Sequence, residues 1–77
     1  MNCTKDFLNF ISTNIDAGKQ VMILKANPSK DFPQYSNEEI QEALEFCKNN
    51  GYIKFMKTIG YHLITGITSS GINYMNQ

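Results

Sequence analysis

Between Ser36 and Gly51 the chain specifies a whole helix, with its start, its buried face and its stop, and the rest must pack around it. Ser36 and Glu39 have the spacing of a capping box, in which the serine side chain accepts the N3 amide and the glutamate reaches back to the serine N–H. Ile40, Ala43, Leu44 and Cys47 follow at i, i+3, i+4 and i+7, a narrow apolar stripe. Asn50-Gly51 supplies a C-terminal stop. The spacing predicts a helix over 37–49. Glu38, Gln41, Glu42, Glu45 and Lys48 share the face opposite the stripe. Phe46 lies off both arcs, where it would pack against a neighbouring element.

That helix also concentrates the acid of the molecule. The four glutamates and Lys48 give Ser36–Asn50 a charge of −3, while the other six lysines against Asp6, Asp16 and Asp31 leave +3 elsewhere. The net charge of zero over 77 residues conceals a dipole. Every basic side chain is lysine, so the chain lacks the bidentate donor favoured for phosphate and guanine. A strongly electrostatic nucleic-acid binder is disfavoured on that ground.

The flanking segments read as shorter elements. Thr4 is placed to cap a first helix whose Phe7, Leu8, Phe10, Ile11 and Ile15 fall on one arc, with Gly18 as its left-handed stop. Val21–Leu24 reads as a short buried strand closed off by Asn27-Pro28. Asn27 as cap and Pro28 at the first position suit one helical turn, which Pro33 halts at Phe32. Phe32 and Tyr35 read as plugs into the core. Tyr52–Thr58 and Tyr61–Ile67 have strand composition about a two-residue Ile59-Gly60 turn, a hairpin with Lys54 and Lys57 on opposite faces. Thr68 caps a short last helix with Ile72 and Met75 inward. The expectation is one α+β domain over 1–77: a three-helix core, a small antiparallel sheet with hairpin 52–67, and a short C-terminal helix.

This order, helix, strand, helical turn, helix, hairpin, helix, is that of the winged helix-turn-helix proteins. Ser36–Ile53 resembles their recognition-helix-to-wing passage. Ile67-Thr-Ser-Ser-Gly-Ile-Asn-Tyr-Met75 resembles their closing helix, with its leucine-threonine-x-x-glycine-x-x-tyrosine-leucine pattern. Together the two stretches are similar to the YjcQ-like proteins of Gram-positive bacteria and their prophages. The resemblance covers about half of the chain, Ser36 to Met75, and rests on cap and core residues, so it implies a fold and no catalytic residue. The arginine-free composition, rich in asparagine, isoleucine and lysine, also suits an AT-rich phage or prophage genome.

Two surfaces follow. The first is protein recognition through Glu38, Gln41, Glu42, Glu45 and Phe46, a negative face suited to a basic groove. The alternative is duplex binding through Lys30, Gln41, Lys48, Lys54 and Lys57, in which the acidic helix would meet phosphates spaced about 1.7 Å along the axis. Self-association is a further option, Glu42 and Glu45 facing Lys54 and Lys57 of a second copy, with Met22, Tyr35, Phe55, Met56 and Tyr61 supplying its apolar centre.

Catalysis is not expected. His62, the single histidine, reads as a half-exposed strand residue, Cys47 as a core residue and Cys3 as a terminal thiol. The cysteines match no metal or redox spacing, and neither a cofactor, a metal nor a small-molecule substrate is expected. With no apolar run near the roughly 18 residues of a membrane span and no signal peptide in its opening residues, the chain is expected in the cytoplasm.

Overall fold

The computed structural model describes residues 3–77. Three helices, α1 (Cys3–Asp16), α2 (Asn37–Asn49) and α3 (Ser69–Met75), accompany three strands, β1 (Val21–Leu24), β2 (Ile53–Lys57) and β3 (Tyr61–Ile67). The strands form one antiparallel sheet in the order β1-β3-β2, so the last strand in sequence is the central one. The fold is α+β. Among the described residues, no helix is long and apolar enough to cross a membrane.

α1 and α2 pack on one face of the sheet. Phe7, Leu8 and Ile11 of α1 meet Ile40, Ala43, Leu44 and Cys47 of α2, with Val21, Ile23, Ile53 and Ile64 beneath. The apolar stripe of α2 is buried at all four positions. Its capping box is fully formed: the Glu39 N–H donates to Ser36 Oγ at 3.1 Å and the Ser36 N–H to Glu39 Oε1 at 2.9 Å. Gly51, at φ +68°, turns the chain out of α2 as a left-handed stop, and Gly18, at φ +80°, does the same after α1.

Thr4 does not cap α1: Cys3 is already helical, so Thr4 sits inside the first turn. The physical cause is the packing of α1 on α2, where Cys3 lies against the core and its Sγ approaches the Glu39 carbonyl at 3.8 Å.

The middle helix of the expected helical trio is also absent. Residues 28–35 form successive tight turns, with the Lys30 N–H donating to the Asn27 carbonyl at 3.2 Å, Phe32 to Ser29 at 2.8 Å and Tyr35 to Phe32 at 2.9 Å. Two prolines five residues apart leave no room for a ladder of i→i+4 bonds. The side chain that organises this loop is Asn37, whose Oδ1 accepts from the Ser29 N–H at 3.1 Å and Oγ at 2.6 Å. Phe32 and Tyr35 plug the core as expected. Phe32 packs edge-on against Phe10 and tilted against Phe7, at centroid distances of 4.6 and 5.8 Å. The Tyr35 hydroxyl donates to the Asp6 carboxylate, which, with burial, pushes the tyrosine pKa up to about 12.

β2 is one residue shorter at each end than the sequence suggests, because the Tyr52 N–H turns back to the Cys47 carbonyl at 2.9 Å and the Thr58 N–H closes the hairpin on the Tyr61 carbonyl at 3.1 Å. Lys54 pairs with Gly66 and Phe55 with Ile64, leaving Thr65 as a bulge. In α3, Thr68 caps as expected, accepting from the Gly71 N–H at 3.1 Å. Ile72, however, points outward. The face turned inward carries Gly71, Tyr74 and Met75, because α3 is pressed so close to the Tyr52 carbonyl that only glycine fits.

Candidate functional site

The exposed side of α2 divides into two edges. Glu38, Glu39 and Glu42 stand in solvent. Among the described residues the one salt bridge is Lys48 to Glu45, at 3.3 Å, so Glu38 and Glu42 have no cation bound to them. Glu39 is committed to the cap. The second edge, Gln41, Glu45 and Lys48, leans towards the sheet and is half-buried. Gln41 Nε2 donates to Glu45 Oε1 at 3.2 Å, the same oxygen that takes Lys48 Nζ. The lysine ammonium lies 5.1 Å from the centre of the Phe55 ring. Gln41, Glu45 and Lys48 were expected outward with the other acids. Lys48 turns inward over the Phe55 face of β2, and the i,i+3 and i,i+4 pairings tie Glu45 and Gln41 to it.

At the far end of the open edge stands Phe46, 40% exposed. It does pack on a neighbour: its ring lies 5.9 Å from Tyr52 and 5.6 Å from Tyr74, and those two tyrosines stack at 4.9 Å. Lys5 lies 5.9 Å from the Tyr74 ring centre, and its Nζ donates to the Gln77 carbonyl at 2.5 Å. Three rings from α2, the α2–β2 turn and α3 thus hold one another rigid. The sequence signal for this cluster was present only as an aromatic misplaced on its wheel; its partners lie too far along the chain for spacing to reveal.

Shallow depressions flank the acidic ridge. One, of ≈ 360 Å³, lies between Glu38 and Glu42 on α2 and Lys25, Ala26 and Pro28 on the loop. The other, of ≈ 300 Å³, lies between Glu39, Ala43 and Phe46 on α2 and Cys3 and Thr4 on α1. Both open to solvent, and each presents carboxylates beside apolar floor.

The lysines considered for duplex binding do not converge. Lys48 is engaged by Glu45 and Phe55. Lys54 pairs across from Gly66 on the outer face of the sheet, whereas Lys57 pairs with His62 on the helix-facing side. Lys30 lies beside Asp31 and the β1 edge, near Phe10 and Met22.

His62 departs furthest from expectation. It is 7% exposed, on the helix-facing side of β3, and its Nδ1 has no hydrogen-bond partner in the protein. Burial first, then Lys48 and Lys25, with a smaller push from Lys57, lowers its pKa below the ordinary 6.5; Glu45 opposes them. Cys47 is wholly buried, and burial pushes its thiol up to about 12. Cys3 is half-buried, and burial followed by the Glu39, Asp6 and Glu42 carboxylates raises it too. Neither thiol is primed as a nucleophile. Among the described residues, no three His, Cys, Asp or Glu side chains come together as metal ligands.

No protein-family model, curated protein or solved structure matches this chain.

Proposed function

We propose that the chain is a small, non-enzymatic winged-helix protein of phage or mobile-element type, and that it acts by binding a protein partner through the open edge of α2. The observation that carries this reading is the juxtaposition of Glu38 and Glu42, exposed and without a bound cation, with Phe46 on its tyrosine backing. Uncompensated acids speed the approach of a basic surface, and a rigid aromatic with two rotatable bonds supplies anchoring area at small entropic cost. Glu38, Glu42 and Phe46 form the contact; Gln41 and Glu45 brace it. A winged-helix architecture, with β2 and β3 as the wing, is in keeping with the element order, although the trio's middle helix is reduced to turns. Duplex recognition gains nothing from lysines scattered over separate faces.

The test places a photo-crosslinking residue at position 46 and compares the protein with its Glu38→Lys/Glu42→Lys variant in the lysate of a host cell. The expected outcome is a discrete protein adduct that the charge reversal removes while the circular dichroism melt stays unchanged. An adduct indifferent to the reversal overturns the reading. So does retardation of duplex DNA by micromolar protein at low salt that weakens steeply as salt rises, by about 10³-fold or more between 50 and 200 mM.

A further inference from the structure

We infer that the outer face of the sheet is a two-fold interface with a second copy of this chain. The helices cover one side of the sheet, and the other side is bare. Across it runs a row of three aligned side chains, Met22 on β1, Leu63 on β3 and Met56 on β2, set by the pairings Met22↔Leu63 and Met56↔Leu63. Met22 is 49% exposed and Met56 59%. Leu24 and Tyr61, paired with each other, extend the apolar surface towards the hairpin tip, where Ile59 is 99% exposed.

The register of β3 sharpens the point. In a strand one residue of slip exchanges the two faces. This strand sends His62 into the core, with a ring nitrogen unpartnered, and sends Tyr61 and Leu63 outward. Burying an unpaired polar atom while leaving a leucine and a tyrosine partly in water is unfavourable for an isolated molecule. Covering the outer face removes the second of these costs.

The chemistry of the face selects the occupant. A two-fold axis sets each patch against its own copy, so any charge near the axis meets itself. Of the outward positions on the three strands, Lys54 alone is charged, and it lies opposite Gly66, beyond the apolar row. A duplex, an anionic membrane or an acidic peptide would need several lysines here. A basic peptide would need carboxylates. The strands supply mainly apolar surface here, bordered at the β1 edge by Lys30 and Asp31, and methionine, with its flexible thioether chain, packs readily against its own copy.

The size allows it: a whole side of a body measuring 29 × 26 × 24 Å takes at most about a sixth of its 4603 Å² surface, about 770 Å². The smaller stable interfaces bury roughly 600 Å² on each partner. The two sheets would stack about 10 Å apart, as in a sandwich, with both α2 ridges on the outside.

Sedimentation velocity over roughly 1 µM to 1 mM spans the dissociation constants such an interface can have. The expected result is a shift from 8.8 kDa towards twice that mass and no further. Met22→Lys/Met56→Lys is expected to raise the midpoint concentration by about tenfold or more, with the helical signal retained. In the unaltered protein, peroxide should oxidise Met22 and Met56 more slowly at high concentration than at low, a readout that does not depend on the variant folding. A monomer at every concentration, which would leave the face to a foreign apolar partner, overturns the inference. So does a ladder of larger species, which marks a head-to-tail contact, or methionine oxidation indifferent to concentration.

Discussion

Single atoms decide two features of this protein. At Gly71 a methyl group would stand 2.3 Å from the Tyr52 carbonyl oxygen and 2.9 Å from Ile67 Cγ1, both held by the β2 start and the end of β3. The Tyr52 backbone cannot yield without parting α3 from the sheet. Gly71→Ala is expected to cost about 1–3 kcal/mol, the usual penalty of overpacking, read as a lower urea midpoint with an unchanged slope. His62 sets the second. Burial holds its folded pKa below the ordinary 6.5, so as the pH falls below that value the unfolded state binds more protons than the folded one. The contribution is complete above pH 6.5 and is lost progressively below it. Between pH 7 and pH 5 the urea midpoint should therefore fall further for the native chain than for His62→Leu, in which this group cannot titrate; equal slopes for the two would remove His62 as the cause.

At the scale of the element, α2 owes its start to one serine hydroxyl. Ser36→Ala removes the acceptor for the Glu39 N–H while leaving the backbone N–H of residue 36 on the Glu39 carboxylate, and should lower stability by about 1 kcal/mol, with faster hydrogen exchange in the first turn of α2 and unchanged exchange in α1. This helix was legible to the residue, because caps, stripe and stop are all local and agree with one another. The apolar arc of α1, the short β1 strand and the hairpin turn were legible for the same reason. What sequence left hidden was decided by contacts distant in the chain. Tyr61–Ile67 alternates evenly enough that either face can be the inner one, and its pairing with Ile23 and Phe55 is what turned His62 in and Leu63 out. Gln41, Glu45 and Lys48 read as outward on a wheel because a wheel has no knowledge of Phe55. The candidate site was accordingly half legible: Glu38, Glu42 and Phe46 stand where periodicity put them, and the tyrosine pair behind Phe46 emerged only from the fold.

For the molecule as a whole, the acidic ridge and the bare sheet face lie on opposite sides of the body, since α2 covers the side of the sheet that Met22 and Met56 do not. Their uses are therefore independent: charge reversal at Glu38 and Glu42 should leave the sedimentation profile unchanged, and lysines at Met22 and Met56 should leave the adduct at position 46 intact. A variant at either surface that altered both readouts would mean that the two faces are coupled.

The central place of β3 also bears on how such a chain acquires its shape. β1 finds its partner only across 64 − 21 = 43 positions, from Val21 to Ile64, while β2 finds the same strand across a two-residue turn. The hairpin is therefore the early, local event, and β1 is recruited last. During synthesis β1 has no strand to lie against until Tyr61–Ile67 has emerged, so Val21–Leu24 is expected to wait unpaired for the hairpin to form.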